Sequence, residues 1–380
     1  MSASHPRVLM DATAVPPDRR GVGRYVDSLL PELGRLGTPL LIACRAEDAR
    51  HYESLCPSAD ILPGPAQIGR RPARLAWEQT GLARLVAKTN ADVVHSPHYT
   101  QPLAVRRPIV VTLHDATFFT HPDVHERVKR LFFTNWTKLS LRRATRCIVP
   151  SAATRDELVR VLGTREDRID VVHLGVDEEV FHRPTSDEIA AARRHLELAD
   201  RPYIAFLGTL EPRKNLSSLI RGFANAVRGR ADKPALVLAG GQGWDDSLDA
   251  LIAGLPAGVD VLRPGFLPLE LLRGYLGGAQ FVAYPSLGEG FGLPVLEAMA
   301  CAAPVLTTPV LSLSEVGGDA VEYTGTDPDS IGTAIAALLD NPSRRRELAT
   351  LGLSRAAEFS WHSAAVRHQE IYAQVGRFQR

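Results

Sequence analysis

The chain has 380 residues, 45% of them apolar and 23% charged, with a net charge of +1. That length suggests two domains of ordinary size, each able to bury its own core, and the composition excludes a disordered or fibrous chain. No apolar run reaches the ~20 residues that cross a bilayer, and the opening MSASHPRVLMDAT lacks a charged segment followed by an apolar one, so a cytoplasmic chain is expected.

The charge is unevenly divided: up to Pro184 there are 26 Lys and Arg against 21 Asp and Glu, and beyond it 18 against 22. A mildly basic first half favours an anionic partner there. The excess is small and lacks interleaved aromatics, which argues against nucleic-acid binding. Cys44, Cys56, Cys147 and Cys301 are scattered without CxxC spacing, so neither a disulfide framework nor a zinc site is expected. His95, His98, His114 and His121 lie near one another but lack a ligand pattern, and no metal is expected.

In chain order, apolar strands alternate with amphipathic helices, the pattern of parallel sheets covered on both faces. Strands are expected at Val8–Met10, Leu40–Ala43, Val93–His95, Ile109–Leu113, Cys147–Pro150 and Ile169–Val172. The first is followed by GVGRY (Gly21 to Tyr25), which opens the helix YVDSLLPELGRL at a junction that faces the ligand crevice of an α/β domain. The fourth runs into TLHDATFFTHP, placing His114 and Asp115 at a strand's carboxyl end. The basic helix HERVKRLFFTNWTKLSLRRATR then carries Val128, Leu131, Phe132, Trp136 and Leu139 on one face and Arg127, Lys129, Arg130, Lys138, Arg142 and Arg143 elsewhere. Two readings stand: a core-packing helix with a solvated basic side, or, with Arg70, Arg71 and Arg74, a surface for an anionic membrane or a lipid-linked saccharide.

HRPTSDEIAAARRHLELADRP interrupts the strand rhythm, and the domain boundary is placed at Pro184, giving domains 1–184 and 185–361. The second half restarts with strands at Tyr203–Leu207, Ala235–Ala239, Val259–Leu262, Phe281–Tyr284, Pro304–Thr307 and Val321–Tyr323. After the first of these, GTLEPRKNL sets Arg213 and Lys214 side by side before a helix, two cations able to clamp a diphosphate; the plainer alternative is a solvated pair in a loop. SLGEGFGLPVLEAMA, from Ser286 to Ala300, joins a buried strand to a helix with Pro294 at its start. Backbone N–H groups and the helix dipole make that turn a seat for phosphate, while Glu289 and Glu297 suit vicinal hydroxyls of the same ligand. A first-turn carboxylate that merely complements the dipole is the competing reading for Glu297.

Together, GVGRY, LHDATFFTHP, VPSAATRDEL, HLGVDEEVF, GTLEPRKNL, LAGGQGW, YPSLGEGFGLPVLEAMACAAPVLTT, SEVGGDA and FSWHSAA resemble the retaining glycosyltransferases of family 4, in that family's order and over nearly the whole chain. The resemblance implies an α/β chain of GT-B fold: two Rossmann-like domains facing each other across a cleft, with a C-terminal helix (362–380) crossing back to the acceptor-side N-terminal domain. It implies that Glu289 with Gly290, Phe291, Gly292 and Leu293 holds the transferred sugar and distal phosphate. Glu297 would bind the ribose, Arg213 and Lys214 would grip the diphosphate, and Gly21 with Gly23 would close over it. His114 would stand near the sugar's C6 region and the base near Gly265 and Phe266.

No cofactor beyond the nucleotide-sugar substrate is implied, and no metal. LHDATFFTHP and TTPVLSLSEVGGDA look most like bacterial enzymes that transfer mannose in making surface polysaccharides, so GDP-mannose is the first choice of donor. UDP-glucose, UDP-N-acetylglucosamine and dTDP-linked deoxysugars stand behind it. The partners expected are the nucleotide sugar and a saccharide or lipid-linked acceptor, at a cytoplasmic location that includes the inner face of the membrane. An inverting GT-B enzyme, an epimerase and a non-catalytic nucleotide-sugar binder remain as alternatives.

Overall fold

The computed structural model describes residues 5–16, 19, 21–122, 126–245 and 247–377. The chain divides into two compact units, Met1–Gly175 with Ser360–Arg380, and Val176–Phe359. The first therefore ends at Gly175 rather than at Pro184, and the helix Ser186–His195 belongs wholly to the second, where it packs against the helix Leu269–Gly277. A Cβ at Gly175 would sit 2.1 Å from the Trp361 backbone nitrogen, so only glycine lets the leaving chain pass the returning one this closely.

The first unit is built on a parallel sheet of seven strands: β1 (Val8–Asp11), β2 (Leu40–Cys44), β3 (Asp60–Pro63), β4 (Val93–Ser96), β5 (Ile109–Thr112), β6 (Arg146–Val149) and β7 (Ile169–Val171). Their spatial order is β3-β2-β1-β4-β5-β6-β7, so the direction of winding reverses between β1 and β4. β1, β2, β4 and β5 are buried along their whole length, which is why they read as unbroken apolar runs. β3 is absent from the expected strands. Its sequence DILP is exposed at both ends and half-buried between, as an edge strand is, and it lacks the apolar run of the others.

The helix after β1 spans Val22–Arg35, so it begins before Tyr25, and Gly23 lies inside its first turn rather than in the preceding loop. Its buried stripe is Tyr25, Val26, Leu29, Leu30 and Leu33, and it packs against the returning helix Trp361–Arg377. Of the expected segment 362–380, residues 378–380 lie outside the described residues. The basic helix spans Arg127–Arg143; the expected starting residue His125 also lies outside them. Of its apolar residues, Val128 (80% exposed) and Leu131 (58%) stand in solvent, while Phe132, Trp136 and Leu139 are half-buried. Arg74 does not belong to any basic surface: it is buried, and its guanidinium is paired with the Glu78 carboxylate at 2.8 Å.

The second unit holds a six-stranded parallel sheet: β8 (Tyr203–Leu207), β9 (Ala235–Ala239), β10 (Val261–Gly265), β11 (Val282–Tyr284), β12 (Val305–Thr307) and β13 (Glu322–Tyr323), in the order β10-β9-β8-β11-β12-β13. Winding reverses here between β8 and β11. Open α/β sheets bind ligands at the carboxyl ends of the strands flanking such a reversal, and Arg213, Lys214 and Glu289 lie just beyond those two ends. The four cysteines are buried and unpaired.

Candidate functional site

Beyond β8 the chain runs through a single 3-10 turn, Pro212–Lys214, before Asn215 adopts a left-handed conformation (φ 59°) and starts the helix Leu216–Ala226. That tight turn brings two consecutive cations to one carboxylate. Beyond β11, residues 285–292 form the facing loop, and the two loops are tied by the Leu287 N–H donating to the Arg213 carbonyl at 2.9 Å. Gly292 takes φ +105°, and a Cβ there would meet Leu313 at 2.8 Å, so glycine is required where the loop turns into the helix Leu293–Ala300.

The side chains form a compact ionic cluster. Arg213 donates through Nη1 to Glu289 Oε2 and to the Gly288 carbonyl, each at 2.6 Å, and through Nη2 to Glu211 Oε1 at 2.6 Å. Lys214 Nζ donates to Glu289 Oε1 at 2.7 Å and to the Tyr284 hydroxyl. Tyr284 and Ser286 donate to that same oxygen at 3.0 and 2.6 Å. Burial alone would raise the Glu289 carboxyl, but Arg213, Lys214 and the hydrogen bonds more than offset it and hold the group at about 2. The Lys214 ammonium is pushed down by burial and by Arg213, with Glu289 and Glu211 pulling the other way. Glu289 is thus a carboxylate at neutral pH, held beside two cations.

Arg213, Lys214 and Glu289 are therefore in direct contact, and Gly290 to Leu293 form the turn leading from Glu289 into the helix. Glu297 is buried on that helix, at 3% exposure, and sits past its first turn, so dipole complementation gives no account of it. Gly265 ends β10 with φ +77°, its carbonyl accepting from the Gly240 N–H, and Phe266 beside it is 65% exposed. Three members of the cluster escaped the sequence. Tyr284 reads as the last apolar residue of a strand, Ser286 as a loop residue, and Glu211 as a neighbour of Pro212; only the spacing Glu-x-Arg hinted at an ion pair.

In the first unit Gly21 caps the helix Val22–Arg35 with φ 53°. His114 follows β5 and donates from Nε2 to the Pro97 carbonyl at 2.6 Å, which leaves the lone pair on Nδ1. Burial keeps its imidazole neutral, with the Pro97 bond and Asp115 acting against that shift. The sequence also missed a buried neutral network behind it. Tyr25 OH lies 2.6 Å from His368 Nε2 and 3.0 Å from Thr112 Oγ1, while His95 meets Thr112 at 2.8 Å and the Tyr372 hydroxyl at 2.7 Å. Among the described residues no group of three His, Cys, Asp or Glu is placed to hold a metal ion, and no helix is long and apolar enough to cross a membrane.

Two Rossmann-like domains, each on a parallel sheet, are the architecture of glycosyltransferases of GT-B fold, and the matches to known proteins agree. Residues 19–180 match Glycosyltransferase Family 4, and residues 188–353 match Glycosyl transferases group 1. O-antigen chain mannosyltransferase B of Escherichia coli is 31% identical over 284 residues, covering 74% of each chain. D-inositol 3-phosphate glycosyltransferase of Thermobispora bispora is 31% identical over 405 residues, covering 94% of this chain and 90% of its own. Among solved structures, Anabaena HepE in complex with UDP-glucose superimposes with a TM-score of 0.77 at 18% identity, covering 97% of this chain and 100% of its own. WaaG, a glycosyltransferase involved in lipopolysaccharide biosynthesis, gives 0.75 at 15% identity, covering 96% and 99%. The chain belongs to glycosyltransferase family 4 and is a glycosyltransferase.

Proposed function

We propose that the protein transfers a hexose from a nucleotide sugar to a saccharide or lipid-linked acceptor with retention of anomeric configuration, GDP-mannose being the first choice of donor. The reading rests above all on the contact of Arg213 and Lys214 with Glu289 at the strand reversal of the second unit. The likeness to an O-antigen chain mannosyltransferase supports the sugar, and that to HepE with bound UDP-glucose supports a nucleotide sugar as donor.

In this reading the diphosphate lies against Arg213, Lys214 and the N–H groups of Gly290 to Leu293. Glu289 accepts hydrogen bonds from the sugar's hydroxyls, Glu297 accepts from the ribose, and the base lies by Gly265 and Phe266. To the first unit it assigns Gly21 and Gly23 for the diphosphate and His114 for the sugar's C6 region. The bond from the anomeric carbon to the distal phosphate oxygen breaks as the acceptor oxygen attacks from the same face, and the acceptor's proton passes to the departing phosphate. Arg213 and Lys214 supply the charge that stabilises the leaving group, so no metal ion is assigned a role. Peripheral contact with an anionic leaflet is proposed for Val128 and Leu131, flanked by Arg127 and Arg130.

A thermal-shift screen of nucleoside diphosphates and their sugars, followed by NMR of the transferred sugar's anomeric proton, tests the proposal. A guanosine preference and a product of the donor's own configuration are expected. Inverted product, or donor turnover that yields an epimer without any acceptor, would assign another nucleotide-sugar chemistry.

A further inference from the structure

Beyond β4 the residues Pro97 to Gln101 form a turn fixed on every side. Tyr99 is left-handed at φ 51°, a conformation that bulky residues keep only where the surroundings enforce it. Its N–H donates to the Thr112 carbonyl (3.1 Å), its carbonyl accepts from Ser140 Oγ (2.6 Å), and its hydroxyl accepts from the Asp115 N–H (3.0 Å). Thr100 Oγ1 donates to Glu78 Oε2 (2.6 Å) and accepts from Arg74 Nη2 (3.2 Å), and the Gln101 carbonyl accepts from Gln79 Nε2 (3.0 Å).

One polar side chain in this turn is left without a hydrogen bond among the described residues: the His98 imidazole. The ring is partly exposed and is bounded by Tyr99 and Phe133, both edge-on with centroids at 5.2 and 5.4 Å, and by His114 at 6.3 Å. Desolvation first, and then His114, Arg74 and Arg71, drive its basicity down to about 3. It therefore presents one N–H donor and one lone pair at neutral pH, the pair of functions that a hydroxyl answers, and it carries no positive charge to draw in a phosphate. β1 and β4 are also the strands between which this sheet reverses, where a ligand of an open α/β sheet sits.

We infer that His98 anchors a saccharide-hydroxyl site in the first unit, its imidazole bonding a hydroxyl of the acceptor. The inference rests on the glycosyl-transfer reading and names the group that recognises the acceptor. Tyr99, Thr100, Arg74 and Glu78 are positioning residues: they hold the turn and do not touch the sugar.

The probes are methyl and octyl α-hexopyranosides of manno, gluco and galacto configuration, with inorganic phosphate as control, titrated into protein carrying 15N-labelled histidine. A saturable shift of the His98 ring nitrogens with at least one hexoside, and none with phosphate, is expected. An octyl hexoside binding at least about tenfold tighter than its methyl counterpart assigns a lipid-linked acceptor, and equal binding a soluble one. No saturable response to any hexoside, or a response to phosphate, overturns the inference. With the responding hexoside as acceptor, His98→Phe should raise KM about tenfold, the loss of one or two neutral hydrogen bonds, with little change in kcat, and His98→Gln should recover most of it. A fall in kcat at constant KM would also overturn it. Failure of wild-type protein to bind any nucleoside diphosphate would instead sink the glycosyl-transfer reading, whereas diphosphate binding without a hexoside response at His98 sinks this inference alone.

Discussion

The two units bury polar groups in opposite ways. In the first, Tyr25, His95, Thr112, His368 and Tyr372 join helix and sheet through neutral hydrogen bonds, and burial keeps both imidazoles uncharged. In the second, Arg213, Lys214, Glu211 and Glu289 gather as ions. A neutral network satisfies its partners at little desolvation cost and serves to hold shape. Buried charges are costly unless matched, and a set of two cations and two carboxylates is matched internally while still able to exchange partners with a ligand. Charge is therefore gathered at the strand reversal of the second unit, while neutral hydrogen bonds hold the core of the first.

The largest expected effect tests the charged side of that contrast. Lys214→Ala removes the cation that the proposed reaction sets against the departing phosphate, and kcat should fall by about 100-fold or more, as when other preorganised charge-stabilising groups are deleted. A single-turnover rate within a few-fold of wild type would mean that the cluster is structural.

The contrast predicts a difference in acid sensitivity next. His368, held down to about 4 by burial, binds its proton more weakly in the folded than in the unfolded chain, so stability is lost as pH falls below about 6.5. Between about pH 6.5 and 5 this one residue costs about 1.5 kcal/mol, and His95 acts in the same direction. Glu78 acts oppositely: its carboxyl, raised by burial to about 6 against the pull of Arg74, gains stability as pH falls from 6 towards 4.5, and so offsets part of the loss. Glu289 contributes stability that is fully present above 4.5 and is lost as pH falls from there towards about 2. Amide exchange corrected for intrinsic rates, compared at about pH 7 and 5, should show lost protection in β4, β5 and the helix Trp361–Arg377 but not in β8 or β11. Equal losses in both units would erase the distinction, and His368→Gln should flatten the slope of the first.

Glu297→Ala sharpens the picture within the second unit. If Glu297 accepts from ribose as proposed, its loss should weaken nucleoside diphosphate binding about tenfold by calorimetry, with a smaller effect on kcat. An unchanged Kd would leave Glu297 as a buried helix residue only.

The same division explains what the sequence disclosed. The central strands β8 and β9 were legible to the residue because apolar runs buried on both faces admit one register, whereas the edge strand β3, with Asp60 and Pro63 at its ends, carried no such signal. Arg213, Lys214 and Glu289 were legible because a strand, a short loop and a helix start bound each of them in sequence. Tyr284 was not, since the apolar pattern that marks β11 also hides the hydroxyl at its end. His98 was hidden for a different reason: its presentation depends on a left-handed Tyr99 enforced by Thr112, Asp115 and Ser140, contacts that no local pattern encodes.

The smallest expected effect concerns surfaces. The first unit's helix Arg127–Arg143 exposes Val128 and Leu131 and, along its length, Arg127, Lys138, Arg142 and Arg143, whereas Phe266 and Leu269, exposed on the second unit, are followed by Glu270 in a chain half with excess acid. Each cation near an anionic bilayer contributes about 1 kcal/mol, and partial burial of two aliphatic side chains adds about as much again, so binding should be weak and salt-sensitive. Flotation with vesicles containing phosphatidylserine should carry a fraction of the protein upward at low salt, and Val128→Asp with Leu131→Asp should abolish it. Protein that stays at the bottom with anionic vesicles, or floats equally with neutral ones, would remove the membrane from the comparison and leave the basic excess of the first unit to a soluble acceptor.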